Sequence, residues 1–309
     1  MTSTVRSGVL IVAKGAGITS FQVVALLRRL LRAPKIGHGG TLDPEATGVL
    51  PILVNEATKL TPYLADHEKE YVAAVRLGLV TDTQDMTGSV LREAPVPLLI
   101  ASQLREVLAR FTGRIQQVPP MYSALHRGGK RLYELARQGV TVDREPRPVM
   151  IHTLSLEGVD GPSFTIRIVC GRGTYIRTLC ADIGEALGSG GTLERLVRTR
   201  FGPYPLDGAL PWAELTRMQD GAALWERLHP PDSALSHLPP IDLSEEGALA
   251  FLTGRPVPCP AQASGARLVR LYGPGQAFLG LGQVVQGAGM VKPERIVHGD
   301  HPRSRVLPA

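Results

Sequence analysis

Segments typical of strands and segments typical of helices follow one another in this chain without the strict βαβ alternation of a doubly wound sheet. Residues 8–13 (GVLIVA) are a continuous apolar run that suits a strand buried on both faces, and residues 49–54 and 69–77 also have strand patterns. Helical patterns occupy residues 20–32, where Ser20 is the expected N-cap, and residues 56–65. This order predicts an α+β fold.

The middle of the chain continues the mixture. Helices are predicted at residues 102–111, 130–138 and 174–187, and strands at residues 150–156, 164–170 and 193–201. Prolines then become frequent between residues 202 and 240, which indicates a domain boundary near residues 235–240.

The tail reads as a small β-rich module. A helix is predicted at residues 244–252, followed by short apolar runs at residues 267–272, 277–285 and 290–297. We therefore expect two domains, residues 1–237 and residues 238–302.

Positive charge is concentrated in one segment. The chain carries a formal net charge of +6, and residues 101–150 hold nine basic and four acidic residues, a local charge of +5. A local basic surface is typical of a polyanion partner. A solvated arginine-rich face without a partner would give the same count, so charge alone leaves both interpretations open.

Several classes of protein are disfavoured. No apolar run reaches the roughly 20 residues of a membrane span, and the apolar stretch near the N-terminus is broken by Lys14 too early for a secretory signal. Cys170, Cys180 and Cys259 lack CxxC spacing, which argues against a disulfide framework and against a zinc site. We expect a reducing, cytoplasmic environment and no bound metal.

One carboxylate stands alone in a glycine-rich segment, residues 38–48 (HGGTLDPEATG). Asp43 in this position has two interpretations. Asp before Pro is a frequent helix start, with Asp as the N-cap and Pro44 as the first helical residue. A lone acid on a loop without metal ligands is also suited to direct attack on a substrate.

Two further glycine-rich turns precede helices. Residues 15–20 (GAGITS) lack the third glycine and the later acidic residue of a dinucleotide-binding site, so that function is disfavoured. Residues 171–177 (GRGTYIR) allow close approach of a ligand, and Arg172 with the helix amides is suited to a phosphate. Arg177 lies inside the following helix, where its side chain faces either the interior or, as arginines usually do, the surface.

Taken together, these motifs resemble the bacterial tRNA pseudouridine-55 synthases of the TruB type. The resemblance rests on residues 37–59, 69–88, 118–139 and 171–188, which occur in the family's order and cover most of residues 8–200. It implies a mixed, mainly antiparallel sheet flanked by helices. The tail module is similar to the PUA-like RNA-binding domain that ends many members.

The resemblance implies catalytic roles for three residues. Asp43 matches the nucleophilic aspartate, Tyr71 matches the tyrosine that stacks on the uracil and assists removal of the C5 proton, and Arg177 matches the arginine that pairs with the aspartate. Two positions depart from the family pattern: Gly15 stands where many members have proline, and Gly39 where many have threonine. Neither departure removes a reacting group.

Four more residues match substrate-binding positions. Tyr175 and Leu196 correspond to residues that line the uracil pocket, and His38 to a histidine that enters the RNA loop in place of the extruded base. Lys14 corresponds to a lysine packed beside the site.

The implied function is isomerisation of uridine 55 in the tRNA T-loop by base flipping, without a cofactor, an obligatory protein partner or a membrane. The partner would be the T-arm stem-loop of tRNA, held through the phosphates by the basic segment. Two alternatives remain: an RNA-guided pseudouridine synthase of a ribonucleoprotein, and a non-catalytic tRNA-binding or tRNA-folding protein. The complete set of Asp43, Tyr71 and Arg177 argues against the second of these. The absence of a long lysine-rich tail argues against the first.

Overall fold

The structure is a computed structural model that describes residues 6–98, 100–123, 125–127 and 129–297, except for the side chains of residues 127 and 130. The expected domain ends, residues 1–5 and 298–302, lie outside the described residues. By contact the chain divides into two compact units, residues 1–65 with 201–309 and residues 66–200. The division at residue 237 stays a prediction.

Up to residue 201 the helices and strands are β1 (Gly8–Lys14), α1 (Ser20–Leu31), β2 (Ile36–His38), β3 (Thr47–Val54), α2 (Thr61–Leu64), β4 (Lys69–Leu77), β5 (Leu79–Thr81), β6 (Val90–Glu93), α3 (Ala101–Arg110), β7 (Gly113–Gln117), β8 (His126–Arg127), β9 (Lys130–Arg131), α4 (Leu132–Arg137), β10 (Arg147–Asp160), β11 (Ser163–Cys170), α5 (Ile176–Ala186) and β12 (Gly191–Phe201). A 3₁₀ segment, Asn55–Leu60, precedes α2.

After residue 201 the chain forms β13 (Tyr204–Pro205), β14 (Leu210–Pro211), α6 (Trp212–Arg217), α7 (Ala222–Glu226), β15 (Pro240–Asp242), α8 (Glu245–Leu252), β16 (Val257–Pro258), β17 (Leu268–Tyr272), β18 (Phe278–Val285) and β19 (Met290–Ile296). Short 3₁₀ turns lie at Pro231–Leu235, Ala261–Ala263 and Pro274–Gln276. No helix among the described residues is long and apolar enough to cross a membrane.

The first unit is built around β1, which is buried along nearly its whole length, as its apolar run predicts. β1 pairs antiparallel with β3 and parallel with β14, and β2 pairs antiparallel with β3. The strand that follows α1 is therefore not a parallel neighbour of β1, which excludes the dinucleotide-binding βαβ unit in this segment.

The C-terminal part of the same unit is a five-stranded sheet in the order β15–β17–β18–β19–β16. The predicted β-rich module is thus confirmed. Its core continues into the rest of the unit, since Tyr272 and Phe278 belong to one buried cluster with Val9, Leu53 and Leu60. Burial of each such large apolar side chain contributes about 1.5–3 kcal/mol, so the module is joined to the start of the chain by a shared core.

Polar contacts reinforce this junction. The buried Asp232 carboxylate accepts hydrogen bonds from Arg270 Nη1 (3.2 Å) and from the Tyr272 hydroxyl (2.6 Å). Lys59 Nζ donates to the Ile296 carbonyl oxygen (3.2 Å), and the Tyr63 hydroxyl donates to the Glu294 carboxylate (2.9 Å).

The second unit contains strands in the order β12–β4–β11–β10–β7. The pairs β4–β11, β10–β11 and β7–β10 are antiparallel. α3 packs on β10, and α5 packs beside β4. Sheets that are mainly antiparallel, with helices against them, confirm the predicted α+β class.

Some local predictions are wrong in detail. The N-cap of α1 is Thr19, whose hydroxyl accepts a hydrogen bond from Gln22 N (3.1 Å), and not Ser20. Residues 56–65 form a 3₁₀ segment followed by one short α-helix. Lys130 lies in the β8–β9 hairpin, so that α4 begins only at Leu132.

Candidate active site

Asp43 lies in an irregular loop, residues 39–46 (the Asp43 loop), which joins β2 to β3 in the first unit. No helix follows it: Pro44 and Glu45 form a bend, and β3 begins at Thr47. The helix-cap interpretation of Asp43 is therefore wrong. The apolar, β-branched sequence of β3 prevails over the local preference of Asp-Pro for a helix start.

Ser20 holds the main chain of the Asp43 loop. Its hydroxyl accepts a hydrogen bond from Leu42 N (3.0 Å) and lies 3.1 Å from Leu42 O, to which it donates. The Ala46 amide donates to the Asp43 carbonyl oxygen (3.1 Å). Because Ser20 is the first residue of α1, the loop is held against the beginning of that helix, and the Asp43 side chain is half-buried.

Lys14 holds the same loop from the other direction. Its ammonium donates to three carbonyl oxygens, those of Gly15 (2.8 Å), Ile18 (2.7 Å) and Pro44 (2.8 Å), and the residue is only 1% exposed. Three charge-assisted hydrogen bonds to main-chain oxygens connect the residue after Asp43 with the turn before α1. Lys14 therefore cross-links the Asp43 loop to the turn before α1.

His38 ends β2 opposite Ile52 of β3 and is half-buried. The two glycines that depart from the family pattern lie in tight places. A Cβ at Gly39 would approach Leu64 Cδ2 to 3.0 Å, and a Cβ at Gly15 would approach the Trp212 ring to 3.2 Å. Leu64 and Trp212 therefore lie where a side chain at Gly39 or Gly15 would begin.

Tyr71 belongs to the second unit, where it is the third residue of β4 and pairs with Ile168 of β11. It shares a strand face with Ala73, Val75 and Leu77, which are buried, whereas Tyr71 itself is half-buried. Tyr71 therefore lies at the end of a buried apolar row, with part of its side chain exposed.

The start of β4 is poorly solvated. Burial lowers the pKa of the Lys69 ammonium to about 8. Cys170, the register partner of Lys69 in β11, has its thiol pKa raised by burial to about 11. The interior beside Tyr71 therefore disfavours charged forms unless they have partners.

Arg177 is the second residue of α5 and is 6% exposed, so the expectation of an inward side chain is confirmed and the surface alternative is wrong. Its Nη1 donates to the Thr83 carbonyl oxygen (2.9 Å) and its Nη2 to the Tyr122 carbonyl oxygen (2.8 Å). Its Nε lies 3.9 Å from Asp85 Oδ2. The guanidinium is thus oriented by two segments that are far from it in sequence.

Asp85 is a site residue that the sequence analysis does not single out, although it lies in the resembling segment at residues 69–88. Its Oδ1 accepts hydrogen bonds from Thr83 Oγ1 (2.7 Å), Thr87 N (3.0 Å) and Thr87 Oγ1 (2.6 Å). These contacts define a compact turn, residues 82–88 (the Asp85 turn). Aspartate flanked by threonines two residues away on each side is the signal that indicates such a side-chain-supported turn.

Tyr175 and Leu196, the expected pocket residues, also lie in the second unit. Tyr175 occupies the N-cap position of α5, where its amide donates to Gln117 Oε1 (3.0 Å) and its carbonyl oxygen accepts from Gln117 Nε2 (3.2 Å). Leu196 is buried in β12. Arg172, the candidate for phosphate contact, is exposed and paired with Asp66 (2.8 Å).

The basic segment, residues 101–150, presents much of its charge to solvent. Among the side chains of this segment that the structure describes, the exposed arginines are Arg105, Arg110, Arg114, Arg131, Arg137 and Arg147. The guanidinium carbons of Arg131 and Arg137 lie 5.9 and 5.5 Å from the ring centroid of Tyr133 in α4, within cation–π range. Arginines beside an aromatic ring are a combination typical of RNA-contacting surfaces.

Within the described part of the chain, no three His, Cys, Asp or Glu side chains come together as a metal site would require. The structure thus places Asp43, Lys14 and His38 in the first unit and Tyr71, Tyr175, Arg177 and Leu196 in the second. Contacts from several segments hold the Asp43 loop in the first unit and the Arg177 guanidinium in the second.

Three family models match consecutive parts of the chain. The model described as TruB family pseudouridylate synthase (N terminal domain) matches residues 28–176. The tRNA pseudouridylate synthase B C-terminal domain matches residues 177–236, and the model described as Pseudouridine synthase II TruB, C-terminal, matches residues 239–297.

Individual proteins are similar over nearly the whole chain. The tRNA pseudouridine synthase B of Aromatoleum aromaticum is 48% identical over 290 residues, which cover 94% of this chain and 92% of that protein. The enzyme of the same name from an Azoarcus species is 44% identical and covers 94% of each chain. A protein solved in an archaeal box H/ACA sRNP complex has a TM-score of 0.71 at 26% identity, covering 96% of this chain and 88% of that one.

Proposed function

The chain belongs to the TruB family of pseudouridylate synthases and is an enzyme of the isomerase class; on this premise we propose that it converts uridine 55 in the T-loop of tRNA to pseudouridine, acting without a protein partner. The observation that carries the proposal is 48% identity across nearly the whole chain to a tRNA pseudouridine synthase B, combined with the retention of Asp43, Tyr71 and Arg177. The proposed place of action is the cytoplasm.

The proposed reaction is an isomerisation in which the substrate supplies every atom. The bond between C1′ of the ribose and N1 of uracil breaks, the base turns, and a bond forms between C1′ and C5. The proton on C5 leaves, and N1 acquires a proton. Because nothing is oxidised and no group is imported, the proposal includes no cofactor.

Asp43 is the proposed nucleophile. A carboxylate is a weak nucleophile in water, so it must be partly desolvated and correctly placed. The contacts of Lys14 and Ser20 to the main chain of the Asp43 loop support the placement, because they hold the residues on both sides of the carboxylate.

Arg177 is the proposed catalytic arginine, the one that the family resemblance assigns to the aspartate. Support comes from its burial and from its carbonyl partners, which orient the guanidinium before any substrate arrives. A cation held in advance stabilises charge more effectively than one that must reorganise during the reaction.

Tyr71 is the proposed stacking partner of the flipped uracil. Extruding a base costs a few kcal/mol, and stacking on an aromatic ring returns about 1–3 kcal/mol. The half-buried ring at the start of β4 supports this role. Its hydroxyl is the proposed group that assists departure of the C5 proton, while Tyr175 and Leu196 line the uracil pocket and His38 fills the place of the extruded base.

The basic segment is the proposed binding surface for the T-arm. Six exposed arginines and the Tyr133 ring support contacts to phosphates and to the shape of the stem rather than to base edges.

The structural similarity to a protein of an archaeal box H/ACA sRNP favours a second candidate, an RNA-guided pseudouridine synthase. Its identity to this chain is 26%, against 48% for the tRNA enzyme, so the tRNA function is the stronger proposal.

The test uses the purified protein alone with a T-arm stem-loop tritiated at C5 of uridine 55. The proposal expects release of tritium to water without guide RNA or added protein. Release that requires a guide RNA and partner proteins would favour the RNA-guided candidate. Tight binding without release would contradict an enzymatic function.

A further inference from the structure

Gln84, in the Asp85 turn, has a main-chain conformation that side-chain-bearing residues rarely adopt. Its φ is +62°, and among the described residues only Arg32, Asn55 and Gln276 share a positive φ without being glycine. Glutamine lacks the short side chain by which Asn and Asp tolerate this region. A residue in this conformation is maintained by its surroundings, which makes its contacts informative.

Three hydrogen bonds hold Gln84. Its amide donates to the Thr81 carbonyl oxygen (3.2 Å), and its carbonyl oxygen accepts from Leu193 N of β12 (3.0 Å). Its side-chain Oε1 accepts from Thr178 Oγ1 of α5 (2.9 Å), and Thr178 is buried. Gln84 is therefore connected to β12 through its main chain and to α5 through its side chain.

Residues adjacent to Gln84 and Thr178 include Arg177 itself and two residues that surround its guanidinium. Thr83 and Asp85, which flank Gln84, provide the carbonyl oxygen 2.9 Å from Nη1 and the carboxylate oxygen 3.9 Å from Nε. Thr178, the partner of Gln84, directly follows Arg177 in α5. The Gln84–Thr178 hydrogen bond thus fixes the separation of the turn and the helix one residue away from the guanidinium.

We propose that Gln84 is a positioning residue for the reaction: through its hydrogen bond to Thr178 it holds the Thr83 carbonyl and the Asp85 carboxylate against Arg177. This inference rests on the proposed function. The Gln84 side chain accepts its hydrogen bond from Thr178, and its effect passes through the orientation of the guanidinium. Small misplacements of a catalytic group reduce rates far more than they reduce binding.

The experiment measures single-turnover tritium release from the T-arm substrate at saturating enzyme, the dissociation constant of the RNA, and the Tm of each variant. Gln84→Gly keeps the left-handed conformation and removes the side chain. Thr178→Val removes the hydroxyl at nearly constant volume, and Thr178→Ser is the matched control that retains it.

We expect Gln84→Gly and Thr178→Val each to slow the rate constant by roughly tenfold, the loss expected for one positioning hydrogen bond. The double variant should be no slower than the slower single variant, because both substitutions break the same bond. Thr178→Ser should restore most of the rate, and RNA binding should change by less than about twofold in all variants.

A second arm tests whether the effect passes through the guanidinium. In an Arg177→Lys background, Gln84→Gly should produce no further loss of rate, since the group that it positions is absent. An undiminished tenfold loss in that background would overturn the proposal.

Other results also overturn it. If the wild-type protein releases tritium and Gln84→Gly and Thr178→Val release it at the same rate, Gln84 has no positioning role. The proposed function would then stand. A lower Tm or weaker RNA binding at an unchanged rate constant would assign the pair a structural or binding role instead. Failure of the wild-type protein to release tritium would remove the proposed function and this inference together.

Discussion

The Asp43 loop and the surroundings of Arg177 hold a charged residue in opposite ways. In the first unit, the side chains of Lys14 and Ser20 bind the main chain on either side of Asp43. In the second unit, the main-chain carbonyls of Thr83 and Tyr122 bind the side chain of Arg177. An arginine side chain has five donors, so several main-chain carbonyls can orient it at the same time.

A large effect on the rate is expected at Arg177. Arg177→Lys keeps the positive charge but loses the fork that reaches the Thr83 and Tyr122 carbonyls together. We expect single-turnover tritium release to fall by roughly 10²- to 10³-fold, with little change in RNA affinity. Arg172→Lys is the control, because that arginine is exposed; an equal loss there would mean that any change in this turn is harmful.

The corresponding change in the first unit is Lys14→Met, which leaves the carbonyl oxygens of Gly15, Ile18 and Pro44 without their donor. We expect the free energy of unfolding to fall by about 3 kcal/mol, measured by urea denaturation. Lys35→Met removes an exposed lysine of the same unit and should have almost no effect. An unchanged unfolding midpoint for Lys14→Met would contradict the cross-link.

A further difference lies in charge, since the basic segment belongs to the second unit. Replacing Arg131 and Arg137 by glutamine should weaken T-arm binding by about tenfold at low salt and flatten the salt dependence by roughly one unit of log–log slope per arginine. Arg217→Gln changes an exposed arginine of the first unit and should leave the slope unchanged. Filter binding between low and moderate salt measures both slopes, and an unaltered slope in the double variant would contradict the phosphate contacts.

The smallest expected effect concerns Asp182 of α5, the helix that carries Arg177. Burial, with a smaller contribution from Glu185, raises the pKa of the Asp182 carboxyl to about 6. The folded protein then binds this proton more tightly than the unfolded chain, so the group's stabilisation is present below about pH 4 and is lost as the pH rises through 6.

Asp182→Asn removes this titration. The free energy of unfolding of the variant relative to the wild type should therefore increase between pH 4 and pH 6, as measured by urea denaturation at each pH. A difference that stays constant across this range would show that Asp182 has an ordinary pKa.

The sequence predicts the helices and strands of this protein better than it predicts the hydrogen bonds that hold its loops. β1, β4, α1 and the C-terminal strands follow from apolar periodicity, which survives in the structure because it reflects burial. Family motifs identify Asp43 and Arg177, but the choice between a helix cap and a loop at Asp43 depends on β3, four residues downstream. The local preference of Asp-Pro alone favours the helix cap, which is wrong.

Hydrogen bonds and ion pairs between residues that are distant in the sequence could not be predicted from apolar periodicity. The Ser20 hydroxyl binds Leu42, 22 positions later in the sequence, whereas Thr19 forms the capping box of α1 with Gln22. Asp85 is not distinguished by its local sequence, because its contact is with an arginine 92 positions later. Such contacts are set by the tertiary fold and leave no periodic signal.

The proposed mechanism depends on the carboxylate of Asp43. Its most direct test is single-turnover tritium release by Asp43→Asn, compared with Glu45→Gln, which neutralises an exposed acid of the same loop. We expect no detectable release by Asp43→Asn, unchanged affinity for the T-arm, and a wild-type rate for Glu45→Gln. Release by Asp43→Asn at a rate near that of the wild type would contradict this mechanism.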